Sequence, residues 1–362
     1  MPTACGEQDA VFAQPFRILR DGIAARAFPA ASAAVTQEGH LVALRALGRF
    51  TFEAASSEPS PGTLFDLASV SKAVATTTMA MLLYQSGLLD LEMPVVGVLP
   101  EFTTNDPRRA EITIRHLLAH ASGLPAYERL FMRAKTREEL LKAACTMPLA
   151  SDPGMQAAYS DIGFIVLGLA LERLADESLD RFCQNEIFGP LAMTHTTFNP
   201  ARELRASIPP TADDGDFRGR IIQGEVQDEN ACVLGGVAGH AGLFSTARDV
   251  AVFAYTMMQG GRPILRPETV ALFTRRQQVP EGTSRALGWD TPSSPSQSGR
   301  YFSEHAYGHL GYTGTSLWIE PERQVSITLL TNRSWPDCKN QAIKQIRPRF
   351  HDAVMEALGF KR

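Results

Sequence analysis

Gly308-His309-Leu310-Gly311-Tyr312-Thr313-Gly314-Thr315-Ser316-Leu317-Trp318-Ile319 runs from a glycine-rich turn straight into strand-forming residues. Glu320-Pro321-Glu322-Arg323-Gln324 interrupts the run, and Val325-Ser326-Ile327-Thr328-Leu329-Leu330 resumes it. Two such runs about a short polar stretch predict a β-hairpin with a five-residue connection. Beyond it, residues 339–357 can close the chain as a helix. At the other end, residues 9–28 can form an amphipathic helix that stops near Phe28-Pro29. Ala33-Ala34-Val35-Thr36 and Leu41-Val42-Ala43-Leu44 then read as two strands about the turn Gln37-Glu38-Gly39-His40. Helical patterns fill the middle: a long one from Ser69 to Ser86 with Gly87 as its stop, then Ile114–His120, Thr136–Thr146, Asp161–Ala175, Leu179–Phe188 and Ala247–Gln259. Residues 201–240 read as loop-rich. Strands at both ends and helices between predict an α/β lobe (approximately 1–68 and 290–362) carrying an inserted helical lobe (approximately 69–289).

The chain has 362 residues, 44% hydrophobic and 20% charged, which fits a folded two-lobed protein and excludes a disordered or fibrous one. Lys plus Arg number 35 against 39 Asp plus Glu, a net charge of −4. Without a clustered basic surface, nucleic acid and anionic lipid are not expected partners. The best apolar run, Ile162 to Ala170, is about half of what a bilayer span needs. The opening Met1-Pro2-Thr3-Ala4-Cys5 lacks the basic and apolar regions of a secretory signal. A chain that starts here natively is expected in the cytoplasm; one trimmed at its start, secreted or periplasmic, would read the same. Five scattered cysteines with no C-x-x-C argue for reduced thiols.

Three stretches carry chemistry. In Phe65-Asp66-Leu67-Ala68-Ser69-Val70-Ser71-Lys72, Ser69 and Lys72 stand three apart at a helix start, so both side chains face one way. A hydroxyl is a poor nucleophile until something takes its proton, and an amine beside it can do so or pass the proton on. Taken alone, the pair reads as well as a capping serine beside a surface lysine. Tyr159-Ser160-Asp161 precedes a helix; a tyrosine held near two cations can serve as a phenolate base, or Asp161 can simply cap while Tyr159 packs. Gly308 to Ser316 can lay a substrate against a strand edge with a backbone N–H facing an oxyanion, or can be a tight turn.

In order and spacing these motifs resemble the serine β-lactamase and penicillin-binding protein superfamily, and within it the group of class C β-lactamases, DD-peptidases and family VIII-type esterases. That group carries S-x-x-K, then Y-x-N, then K-T-G or H-x-G, matched here by Ser69/Lys72, Tyr159/Asp161 and His309/Gly311. The resemblance runs from about residue 15 to 350. Ile114-Arg115-His116-Leu117-Leu118-Ala119-His120-Ala121-Ser122-Gly123-Leu124-Pro125 supports it. Gly235-Gly236-Val237-Ala238-Gly239-His240-Ala241-Gly242-Leu243-Phe244-Ser245-Thr246, with Asp228-Glu229-Asn230 before it, is similar to a branch that includes exo-acting muramyl-alanine amidases. The resemblance implies a β-lactamase/transpeptidase-like fold, an antiparallel sheet flanked by helices plus the inserted lobe. It implies Ser69 as the acylated nucleophile, Lys72 as the group easing its deprotonation and Tyr159 as shared base and acid. The backbone N–H groups of Ser69 and Tyr312 would form the oxyanion hole. No cofactor is expected.

Two departures bear on substrate. Asp161 stands where asparagine is common; a carboxylate only accepts hydrogen bonds and favours the charged form of Lys72, which moves the burden of proton transfer to Tyr159. His309 replaces a lysine often found there, and a neutral imidazole holds a substrate carboxylate less firmly than an ammonium. Both favour a small ester or a peptidoglycan-fragment amide over penicillins or terminal D-Ala peptides. The alternatives are a β-lactamase or D-Ala-D-Ala carboxypeptidase, and a catalytically silent protein binding a cell-wall ligand. His116/His120 and His305/His309 have the spacing of zinc pairs, but lack the glutamate and third ligand of a metal motif and read as hydrogen-bonded scaffold. His240 either touches substrate or anchors its loop; Asp228 and Asn230 either rim the cleft or shape a turn. Neither a G-x-S-x-G elbow nor a Walker A motif occurs. The expected partner is a small-molecule substrate; the sequence leaves the oligomeric state open.

Overall fold

The computed structural model describes residues 1–361. Its centre is a five-stranded antiparallel sheet built from both ends of the chain. β1 (Ala30–Gln37) and β2 (His40–Gly48) come from the N-terminal region, and β3 (Tyr307–Leu310), β4 (Ser316–Glu320) and β5 (Val325–Thr331) from the C-terminal one. The order is β2-β1-β5-β4-β3, with Ala33 opposite Leu329 where the two ends of the chain meet. The β4–β5 hairpin turns through residues 321–324, one fewer than expected, because Glu320 pairs with Val325.

Side chains alternate across this sheet, as a strand's period of two requires. Ala31, Ala33, Val35, Trp318, Ile327 and Leu329 face one core with Phe16 and Leu19 of α1 (Ala13–Ala24) and Phe350 and Val354 of the C-terminal helix Ile343–Ala357. Ala30, Ala34, Leu317, Ile319 and Leu330 face the other core. The helix Ala247–Met258 covers that second face and packs on β1, β4 and β5. It lies in sequence within the stretch read as the inserted lobe, yet its buried Val250, Phe253, Ala254 and Met257 cover the sheet.

The helical part rests on two buried helices. α2, residues 70–85, includes a π-helical segment Lys72–Thr77 that the sequence did not predict. The Thr78 hydroxyl donates to the Ala73 carbonyl five residues back, the wider spacing of such a turn. Gly87, at φ +80°, ends the helix as expected. α3 (Asp161–Ala175) is capped by Ser160, whose hydroxyl accepts from the Gly163 N–H at 2.9 Å. The segment read as loop-rich contains a small hairpin, Pro210–Asp214 with Arg220–Gln223, and a short helix Glu229–Val233. The N-terminal helix comes in two pieces, Gln8–Val11 and α1. Among the described residues no helix is long and apolar enough to cross a membrane.

Candidate active site

Phe65–Asp66 forms a two-residue strand against Leu243–Ser245, and the chain then turns sharply into α2. Ala68, at φ +46°, holds a left-handed conformation that a side chain disfavours. The following Ser69 opens onto a cleft of about 600 Å³. Tyr159, Asp161, His240, His309, Gly311 and Tyr312 line the same cleft, so the three separated motifs converge on one place.

Lys72 is fully buried beneath them, and its Nζ has three acceptors: Ser69 Oγ at 3.0 Å, Asp161 Oδ1 at 2.6 Å and the His240 carbonyl at 2.9 Å. An ammonium has three hydrogens to give, so this geometry fits the charged form. Burial works against that charge, but Asp161 and Tyr159 outweigh it and hold the pKa above the ordinary 10.5. The Tyr159 ring lies beside Lys72, its centre 4.9 Å from Nζ, and its hydroxyl is close enough to Lys72 and Ser69 for both to act on it. Burial pushes its pKa up to about 12 against the pull of Lys72. Of the two readings the sequence leaves open for Tyr159, a phenolate base or a packing side chain, burial works against the phenolate, because its desolvation exceeds the gain from one ammonium already paired with Asp161.

Three hydrogen bonds fix the loop carrying His240 to α2. Thr76 Oγ1 donates to Gly239 O at 2.7 Å, Lys72 to His240 O, and the Leu243 N–H to Ser71 Oγ at 3.1 Å. Gly239 packs so closely on α3 that a Cβ there would lie 2.1 Å from the Phe164 carbonyl oxygen. The His240 ring itself is buried and meets Asp228 Oδ1 at 2.8 Å. Burial works against the Asp228 carboxylate, but His240 and the Ala231 N–H bring its pKa below the ordinary range. Asp228 also caps the helix Glu229–Val233, and Asn230 is buried, bonding Phe131 N and Glu128 O.

Across the cleft, His309 Nδ1 lies 2.9 Å from the Leu310 carbonyl, which can only accept, so Nδ1 carries the hydrogen and Nε2 a lone pair. Burial, with Lys72 and Arg285 nearby, pushes its pKa down to about 3, and the ring is neutral. The Gly311 N–H donates to Thr315 O at 2.7 Å and presents the Tyr312 backbone beside the Ser69 turn; a Cβ on Gly311 would sit 2.6 Å from Leu67 O. Among the described residues, neither the Ser69 nor the Tyr312 N–H donates to a protein acceptor.

His116 and His120 are committed to different partners. His116 Nδ1 bonds Thr113 in a helix cap. His120 accepts from the Ser160 N–H at 3.0 Å, stacks on Phe164 and meets the Tyr159 ring at a tilt with centroids 4.7 Å apart. Arg285 and Asp290 also line the cleft, 3.5 Å apart, with the Arg285 guanidinium 5.4 Å from the Tyr159 ring centre. Sequence reasoning missed both, since no motif or periodicity marks a loop residue that reaches a cleft. It also passed over Asp66, which lies inside the first motif.

A family model described as Beta-lactamase matches residues 16–347. The chain is 33% identical over 303 residues to a putative D-alanyl-D-alanine carboxypeptidase of Escherichia coli (strain K12), covering 75% of this chain and 69% of that one. It is 32% identical over 351 residues to an N-acetylmuramyl-L-alanine amidase of Bacillus subtilis (strain 168), covering 85% and 78%. The solved structure of EstCE1, a hydrolase with promiscuous acyltransferase activity, superposes with a TM-score of 0.79 at 23% identity over 96% of this chain and 99% of that one, which shows a common fold. On this match over most of its length and on these relatives, the chain belongs to the β-lactamase family.

Proposed function

We propose that this serine hydrolase transfers an acyl group through an acyl-Ser69 intermediate, from a small ester or a peptidoglycan-fragment amide. The observation that carries the mechanism is the three-acceptor environment of Lys72. A lysine already donating to Ser69 Oγ cannot also take the serine proton. The Tyr159 hydroxyl, close enough to Ser69 and Lys72 for both to act on it, is left as proton carrier. As Ser69 Oγ bonds the substrate carbonyl carbon, its proton passes to Tyr159 Oη, and the proton Tyr159 already carries passes to the leaving oxygen or nitrogen as its bond to carbon breaks. The Ser69 and Tyr312 amides receive the oxyanion. Lys72 keeps positive charge beside the forming alkoxide. Water then attacks the acyl-enzyme by the same route in reverse, and both protonation states are restored.

The substrate class rests on His309. Its Nε2 presents a lone pair where an ammonium would hold a carboxylate. An ester or amide without a carboxylate at that point fits better than a penicillin. The amidase among the relatives is consistent with a peptidoglycan-fragment amide. Steady-state rates on nitrocefin, a p-nitrophenyl ester, a muramyl peptide and a terminal D-Ala-D-Ala peptide test the reading. Turnover of the ester or muramyl peptide with kcat/KM at least about tenfold above nitrocefin is expected. Nitrocefin or the D-Ala-D-Ala peptide as the best substrate would contradict it.

A further inference from the structure

We propose that Asp66 is a positioning residue whose carboxylate sets the Ser69 turn against the two loops that face it across the cleft. The proposal rests on Ser69 being the nucleophile. Asp66 is 2% exposed. Its Oδ1 accepts from the Ala68 N–H at 2.7 Å, its Oδ2 from the Gln227 N–H at 2.7 Å, and its carbonyl from Thr313 Oγ1 at 2.9 Å. One residue thus joins the nucleophile turn, the Gln227-Asp228 wall and the loop that carries the Tyr312 amide. Thr313 in turn bonds Thr315 and, through its carbonyl, Thr331, so the Asp66 link continues into the sheet.

Two backbone donors aimed at two side-chain oxygens need two acceptors. A carboxylate has them; an asparagine or a protonated carboxyl turns a donor toward one of those N–H groups. Without that bond, Ala68 loses what holds it in the left-handed region, and strained backbone persists only where its surroundings over-determine it. Ser69 is the next residue, so relaxation there moves the nucleophile relative to Tyr159 and the Tyr312 amide.

The charged groups acting on Asp66 are Asp228 and Arg218. Arg218 is itself committed to Asp214 Oδ2 at 2.5 Å and to the Val226 and Gln227 carbonyls. The paired strand Leu243–Ser245 and the segment 313–315 bring no ionisable side chain. Burial outweighs the two N–H bonds and Arg218 and pushes the Asp66 pKa up to about 6. The site loses its two-acceptor form within the ordinary assay range.

The test is the rate at which a fluorophosphonate labels Ser69, with ester kcat and KM, across about pH 5 to 8 in wild type, D66N and E229Q. Glu229 is included because burial raises its pKa too. In wild type, labelling and kcat should fall together below about pH 6 while KM changes little. D66N should label about a hundredfold more slowly, with no acid limb in that window. E229Q should keep the limb. Wild-type labelling with a flat profile, a D66N profile like wild type, or a limb lost in E229Q instead would each overturn the proposal. A wild type that labels nowhere would remove the Ser69 reading first, a distinct result. Should D66N not fold, T313V cuts the carbonyl link and the Thr313–Thr315 hydroxyl bond but spares both carboxylate bonds: slower labelling with the limb still near pH 6 supports the proposal, and an unchanged rate overturns it.

Discussion

At the scale of single residues, Asp161 decides how the site holds its protons. A carboxylate 2.6 Å from a buried lysine keeps that lysine charged and unable to act as a base. D161N removes a charge partner from a buried ammonium, with part of the loss made good because the amide oxygen still accepts. We expect about 1–3 kcal/mol of lost stability by urea unfolding at neutral pH, and a lower alkaline limit to activity. The sign follows from a folded lysine pKa raised above 10.5: the pair's contribution is complete below that value and fades as pH rises through the folded pKa. Wild-type kcat/KM on an ester should accordingly stay level from about pH 8 to 10 after correction for spontaneous hydrolysis. A fall centred near about pH 8 would contradict a lysine and phenol held so high. For Asp66 stability likewise falls as pH rises, in a lower window. Its folded pKa of about 6 exceeds the 3.8 of a free carboxyl, so its ionisation costs stability as pH rises between those values. That slope in thermal stability should be absent in D66N. At His309 the lone pair on Nε2 is the feature to change: H309K should raise nitrocefin acylation about tenfold relative to ester acylation, measured as a ratio on one preparation.

At the scale of elements, the site depends on how closely a glycine loop can lie on two helices. Gly239 touches α3 where no Cβ fits, and its neighbour's carbonyl receives the Lys72 ammonium. G239A should cost about 1–3 kcal/mol from overpacking and also reduce kcat by displacing that carbonyl. A variant with wild-type stability and rate would show that the close approach is not needed. The extent to which such elements were legible follows their physics. α3 was read to the residue, because Ser160 caps an unbroken apolar run and Ala175 ends it. The β4–β5 hairpin was read within a residue, because β-branched runs flank a proline-bearing turn. The π-helical segment of α2 was not legible: its residues Lys72–Thr77 suit an ordinary helix as well, and the Thr78 hydroxyl bond to the Ala73 carbonyl accompanies the wider turn without a mark in the sequence. The hairpin at Pro210–Asp214 and Arg220–Gln223 is short and buries Pro210, Thr211 and Ile222 without a regular apolar alternation to betray it.

At the scale of the whole molecule, the sheet that carries His309 is closed by strands more than 250 positions away in sequence, and the helical region brings Tyr159 and Lys72 to its edge. The motif residues could be named from sequence because their spacing is specific. A charged Lys72 and a neutral His309 were expected from residue type, but the neutral phenol of Tyr159 depends on burial that only the assembled fold creates. Arg285, Asp290 and the bridging role of Asp66 likewise exist only once distant loops meet. The central claim is that one hydroxyl in this cleft becomes acylated. Fluorophosphonate treatment of the native protein, followed by peptide mass mapping beside S69A, tests it most directly. We predict a single adduct on the peptide bearing Ser69 and none in S69A; an adduct on another residue, or an equal adduct in S69A, would contradict the account.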